Sequence, residues 1–250
     1  MHGNFESPSS WQFLDKIKDK SPNIEIDYFN IWNLFKKNKN IDSWDTFIGA
    51  LCTELVQESH SHYDVVMGYS MGGRILLNLL SSLDNIKGKS EVSIKKSIFL
   101  STHPGLEESD KEKRVQSDLK WKEKVLNLDW TLLLKEWNKQ EVFERYSIQN
   151  MDEAAKSFAD IEIFKNEIAK AFEILSLGKM QTLPLDFYMK HKNSIIWVLG
   201  SEDKKFLDAS EAFNGILNQV IYPNCGHRIH HESKAIQDSL VDLLQKSLCS

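Results

Sequence analysis

Tyr63-Asp64-Val65-Val66-Met67-Gly68-Tyr69-Ser70-Met71-Gly72-Gly73-Arg74-Ile75-Leu76-Leu77 is the stretch whose reading decides the fold. A short apolar run ends in Gly68-x-Ser70-x-Gly72, and an apolar helical pattern starts at once. A serine placed on a sharp strand-to-helix turn is strained, so the residues two positions either side must be small. In return the turn lifts the hydroxyl clear of the sheet. It also aims the N–H of Met71, at the start of the helix, at any oxyanion forming beside the serine. Strand before and helix after are the context this motif needs, and they predict a nucleophile elbow with Ser70 at its tip.

Working outward, strands and helices alternate. Before the elbow, Ser7 to Ile17 opens with a serine cap and Pro8, with Trp11, Phe13, Leu14 and Ile17 at helical spacing. Asn23 to Phe29 alternates Ile24, Ile26 and Tyr28 and predicts a strand. Trp32 to Lys39 reads as a loop or a turn of helix, and Ser43 to Glu58 as an amphipathic helix. After the elbow helix, a polar loop around Gly88 leads to a strand at Lys95 to Ser101. Further strands are expected at Ser194 to Gly200 and Gln219 to Tyr222, with helices at Asp208 to Leu217 and Glu232 to Lys246. This alternation predicts an α/β fold with a mostly parallel sheet flanked by helices. Residues 104–182 differ: a charged segment of helical periodicity runs from Leu119 through Trp137 to Leu177 with no strand pattern. A stretch far longer than one crossover needs predicts an all-helical cap of about four helices over the site. The domain reading is 1–103 and 183–250 as the α/β core, with 104–182 as the cap.

The opening residues Met1-His2-Gly3-Asn4-Phe5 put His-Gly first, with no apolar strand ahead of it. In serine hydrolases this dipeptide follows a buried strand and starts the oxyanion loop. The expectation is that one or more N-terminal strands are missing, with Met1 standing where a strand residue would sit.

Bulk properties exclude several function classes. The formal net charge is −5, which supplies no basic stripe for nucleic acid. Cys52, Cys225 and Cys249 are odd in number and scattered, forming neither a disulfide framework nor a zinc pattern. No apolar run approaches a membrane span and no signal-peptide core is present, so a cytoplasmic protein without a membrane partner is expected.

A serine hydroxyl is a weak nucleophile until a base takes its proton, and an acid must orient that base. The chain offers them in the order Ser70, Asp203, His227. Asp203 follows a buried strand in Gly200-Ser201-Glu202-Asp203, with Glu202 as the neighbouring alternative. His227 follows the last strand in Gly226-His227. His227-x-x-His230 offers two imidazoles, but no further ligand stands at a suggestive spacing, so no metal is expected. No cofactor motif is present.

Here the residues resemble a known family. Gly68-Tyr69-Ser70-Met71-Gly72-Gly73-Arg74 is similar to the elbow of the α/β-hydrolase-fold 2-succinyl-6-hydroxy-2,4-cyclohexadiene-1-carboxylate synthases of menaquinone biosynthesis. His103-Pro104-Gly105-Leu106 with Arg114, Asp118 and Trp121 resembles the opening of their cap. Glu136 to Phe143, Ser176-Leu177-Gly178-Lys179 and Cys225 to Glu232 resemble further segments in the same order. The resemblance spans nearly the whole chain. It implies a cofactor-free lyase that eliminates pyruvate from a cyclohexene polycarboxylate, a small anionic substrate. In that reading the relay of Ser70, His227 and Asp203 removes a ring proton, and the Asn4 and Met71 amides form the oxyanion hole. Arg74 and Arg114 grip carboxylates through their bidentate forks, while Tyr69 and Trp137 shape the pocket.

There are departures. The family's cap arginine falls near Asp160, an acid where a cation is needed, with Lys156 and Lys165 as candidate substitutes. Asn138 stands where a tyrosine is usual. The alternatives are therefore a carboxylesterase or thioesterase using the same triad, for example on an acyl-carrier-protein methyl ester, and a hydrolase-fold binder without catalysis.

Overall fold

The computed structural model describes residues 1–57, 61–85, 91–143 and 159–249. The predicted loop around Gly88, the end of the predicted helix at Glu58, and the stretch 144–158 with Lys156 and Phe158 lie outside them.

Among the described residues four parallel strands, β1 (His62–Tyr69), β2 (Ser93–Leu100), β3 (Ile195–Gly200) and β4 (Asn218–Tyr222), pair in sequence order. Alternate residues on a strand face opposite sides, and both sides are apolar here, as in a sheet covered on both faces. On β3, Ile195, Trp197 and Leu199 enter one core while Ile196 and Val198 enter the other. The first core is covered by α2 (Ile31–Lys37), α3 (Trp44–Gln57) and the elbow helix α4 (Met71–Asn85). In α3 the buried set Trp44, Phe47, Ile48, Leu51 and Leu55 recurs at helical spacing, which is why this segment lies on the sheet. The second core is covered by the 3-10 segment Pro8–Lys16, the short α1 (Ile17–Lys20) and the C-terminal helix. The sequence places Pro8 at a helix start behind a Ser7 cap, and Ser7 Oγ does accept the Ser9 amide.

Between β2 and β3 the described residues form α5 (Glu108–Asn127), α6 (Trp130–Asn138), α7 (Lys165–Ile174) and short 3-10 turns, with no strand among them. Stacking of Trp121 on Phe172 and the Lys122–Glu173 ion pair at 2.9 Å join α5 to α7. After them come α8 (Leu185–Lys190), α9 (Lys204–Ala209) and α10 (Lys234–Leu248).

Two expectations fail. Residues 23–29 form no strand. They are held away from the β1 edge by a cavity of about 400 Å³ that both segments line, so they have no ladder to join. The backbone of Met1 takes that edge instead: its amino group donates to Met67 O at 2.7 Å, and its carbonyl accepts the Tyr69 amide at 3.1 Å. The helix expected at 208–217 starts earlier and stops sooner. The Asp203 carbonyl accepts the Phe206 and Leu207 amides, which opens α9 directly after the turn. Ser210 then donates to Leu207 O, and a separate 3-10 turn, Glu211–Phe213, follows.

Candidate active site

Because all four strands are parallel, their C-terminal ends open on one edge, and four loops meet there. Ser70 follows β1 directly, with φ at +50°, a left-handed conformation that a serine adopts only under strain. The motif's glycines answer a packing demand. A Cβ on Gly68 would stand 2.6 Å from the Gly72 carbonyl oxygen, and one on Gly72 would stand 2.5 Å from Met1 O. The Ser70 amide donates to Leu100 O at 2.9 Å, which pins the elbow to the end of β2.

His227 Nε2 lies 3.2 Å from Ser70 Oγ, and its Nδ1 lies 2.8 Å from Asp203 Oδ2. Asp203 and His227 are 4% and 3% exposed. The structure thus brings together the three residues named from sequence, while Glu202 sits exposed on the same turn. Loop-to-loop bonds set the spacing: the Glu202 amide donates to Cys225 O at 2.9 Å, and the Asn224 amide donates to Ser201 Oγ at 2.9 Å. Glu232 closes the histidine loop by accepting the Gly226 amide at 2.7 Å. The imidazole itself is caged by the rings of Phe206, Tyr69 and Phe143, at centroid distances of 4.3, 5.4 and 5.7 Å.

Ser70 and His227 open into a cavity of about 200 Å³. Asn4, Arg74, Arg114 and Trp137 line it with them. Met71 is buried at the first position of α4, next to Ser70. Tyr69 stands apart from this set: it is buried behind His227, against Gly3, Trp11 and His230, and does not line the cavity.

The cavity wall is cationic. Arg74 is 5% exposed and donates through one guanidinium nitrogen to Leu175 O at 2.9 Å. Burial, and then the charge of Arg114, push its guanidinium down to about 9. Arg114 is aimed by Asp118, whose two oxygens each accept its Nε at 2.9 Å. Ser176 in turn donates to Asp118 at 2.7 Å, so a residue from the far end of the helical segment holds the fork in place. Lys205 and His103, which sequence reading did not assign to the site, also line the cavity. Lys205 is at the rim, solvent-exposed along much of its length, yet packing and then Arg114 hold its ammonium below the usual lysine value. Burial, followed by the charges of Lys205, Arg74 and Arg114, pushes His103 down to about 3, so it is neutral at pH 7. Its Nδ1 accepts the Gly105 amide at 3.3 Å, which leaves the proton on Nε2.

Of the residues considered for the absent cap arginine, Asp160 accepts from Ser7 at 3.4 Å and does not line the cavity. Lys165 donates to Leu128 O at 2.6 Å and also lies off the cavity, and Lys156 is outside the described residues. Asn138 is buried and turns back onto its own helix, donating to Leu134 O.

A parallel sheet carrying Ser70 on a strained turn after β1, with aspartate and histidine loops after β3 and β4, is the geometry shared by one large group of proteins. Overlay on solved structures agrees. The solved structure of MenH from S. aureus matches with a TM-score of 0.71 over 99% of this chain and 92% of that one, at 20% identity. A carboxylesterase of the thaumarchaeon Nitrososphaera gargenis matches with a TM-score of 0.64 over 99% and 89%, at 15% identity. The chain has the α/β-hydrolase fold. The resemblance read from the motifs is also borne out at the sequence level. The 2-succinyl-6-hydroxy-2,4-cyclohexadiene-1-carboxylate synthase of Escherichia coli (strain K12) is 22% identical over 201 residues, 77% of this chain and 74% of the relative. No protein-family model matches the chain. No described helix of this α/β-hydrolase-fold chain is long and apolar enough to cross a membrane.

His103 and Lys205 carried a signal in the sequence. His103 opens the segment that resembles the synthase cap, and Lys205 lies two residues past Asp203, so the turn that places the acid also delivers the lysine to the rim.

Proposed function

We propose that this chain is a cofactor-free lyase acting on a small cyclic polycarboxylate, of the kind its Escherichia coli relative is named for. The observation that carries the reading is the presence of Arg74, Arg114 and Lys205 on the walls of the cavity that holds Ser70 and His227. An ordinary ester needs no such wall, whereas a substrate with several carboxylates needs one cation for each to offset their desolvation. In this mechanism Asp203 orients His227, and His227 draws the proton from Ser70, which takes a proton from the substrate ring. The C–H electron pair moves into the ring as the carbon–oxygen bond to the leaving group breaks. The leaving group departs as the enolate of pyruvate and becomes pyruvate on taking up, at carbon, the proton that His227 now carries. Charge gathering on the substrate is met by the Asn4 and Met71 amides and by the arginines. Residues 104–182 serve as the cap that closes the site, supplying Arg114, Trp121 and Trp137. The protein works without a membrane partner, in the cytoplasm.

A second reading rests on the carboxylesterase neighbour, which supports an esterase or thioesterase using the same three residues. One experiment separates the two: the purified chain is given the cyclohexene polycarboxylate and, separately, short p-nitrophenyl esters. The lyase reading expects pyruvate release that Ser70→Ala abolishes. Fast ester turnover with no pyruvate release would overturn it in favour of the esterase.

A further inference from the structure

Glu6 lies in the N-terminal loop, 3% exposed, with its two carboxylate oxygens turned to different partners. Oε2 accepts the Gly3 amide at 3.1 Å. Oε1 faces His230 Nε2 at 3.0 Å and His231 Nε2 at 3.5 Å. Among the described residues no lysine or arginine pairs with this carboxylate, so the two imidazoles are its side-chain partners, and a charge taken out of water is held by hydrogen bonds, a cation or a metal. The sequence spacing singles out His227 and His230. The fold instead groups His230 with its own neighbour and with Glu6, 224 residues away.

The donor atoms of Glu6, His230 and His231 all lie within 4.8 Å of one another. Around a tetrahedral ion with bonds of about 2.0–2.2 Å, neighbouring donors stand about 3.3 Å apart, a value that the two measured separations bracket. Two imidazole nitrogens and one carboxylate form a donor set suited to zinc, with a fourth position left open. The ligands are also held in advance. His230 is fully buried, stacked on Trp11 at 4.4 Å and edge-on to Tyr69 at 4.5 Å. The His231 side chain is 35% exposed, which gives an ion its way in and water its place as fourth ligand.

We propose that Glu6, His230 and His231 form a zinc site separate from the Ser70 cavity, which none of the three lines. The ion acts as a clip. It joins the loop that carries Asn4 to the loop that carries His227, and takes no part in the bond-breaking step. The proposal depends on neither reading of the reaction.

The test uses the full chain after chelator treatment and dialysis, titrated with zinc sulfate by isothermal calorimetry near neutral pH. The expected result is one ion per chain, with cobalt(II) in its place giving the intense visible absorption of a tetrahedral site. His231 is at the surface, so His231→Ala keeps the fold by circular dichroism. It should weaken zinc binding by on the order of 100-fold, since losing even an outer-sphere partner costs 10–100-fold. Glu6→Gln should do the same, and His62→Ala, on the exposed start of β1, should leave binding unchanged. No saturable zinc uptake up to about 100 μM, well above the dissociation constant of a specific structural site, would overturn the proposal. So would uptake that His231→Ala leaves intact.

Discussion

The floor and the roof of the cavity are built on different principles. The floor, Ser70, Asp203 and His227, is fixed by strand ends and loop-to-loop backbone bonds, with each side chain held by a neighbour in the same layer. Most of the roof hangs from the helical segment, where Arg114 is aimed by Asp118 and Asp118 by Ser176, while Trp121 and Trp137 pack edge to face. A floor of this kind activates a hydroxyl whatever lies above it, and many chemistries share it. On the proposed function, the choice of substrate belongs to the roof and to Arg74, the cation that the elbow helix sends up from below.

That division can be broken by experiment, beginning with the largest effect. Ser70→Ala should reduce turnover of any substrate by about 10⁴-fold or more, because members of such a relay act as a unit. A loss confined to one substrate class would mean that the floor is not generic. Arg74→Ala and Arg114→Ala should each lower kcat/KM for a polycarboxylate by roughly 30- to 5000-fold, the equivalent of about 2–5 kcal/mol for half of a buried charge pair. A neutral p-nitrophenyl ester should change only a few-fold, and equal losses on both substrates would erase the distinction. Lys205→Gln, at the rim, should cost about tenfold and appear mainly in KM, since exposed charges are screened. Ser176→Ala removes one hydrogen bond from the chain that orients Arg114, and a loss of about fivefold is expected from its net worth of near 1 kcal/mol.

Proton uptake sharpens the same contrast. Burial holds Arg74 at about 9 and, with Arg114, keeps Lys205 below the ordinary lysine value. A cation with a lowered pKa loses its proton earlier as pH rises. Affinity for a tricarboxylate such as citrate should therefore be full at pH 7 and fall as pH passes about 9. His103, held at about 3, adds no positive charge anywhere in that range. Thermal-shift titrations with citrate at stepped pH would read this directly. A stabilisation that stayed constant through pH 10 would show that the anion is held by backbone amides instead.

The floor was legible in the sequence because each part of it is local. Gly68-x-Ser70-x-Gly72, the turn after Gly200 and the Gly226-His227 pair are short segments whose backbone demands are written in neighbouring residues. The strand β3, which leads into the Asp203 turn, was legible because both its faces are buried and its apolar run is unbroken. Residues 23–29 misled because alternation reports a half-buried surface, and a strand also needs a partner edge within bonding reach. Tyr69 shows a related limit. Its neighbour Ser70 faces the cavity, yet the turn points the ring the other way, behind the imidazole. The helices of the roof were legible from their periodicity and the length of the segment, but its arginine only through resemblance, and periodicity could not show that Asp118 and Ser176, 58 residues apart, would meet.

The edge-to-face pair in the roof has a practical consequence. Of the seven tryptophans in the chain, Trp121 and Trp137 line the cavity, with ring centroids 4.9 Å apart at an interplanar angle of 79°. Two indoles that close exchange excitation energy and couple their near-ultraviolet transitions. A guest settling beside them would perturb both the emission and the circular dichroism of the pair. The protein thus carries its own optical gauge of occupancy, one that Trp121→Phe would uncouple while leaving Trp137 against the site.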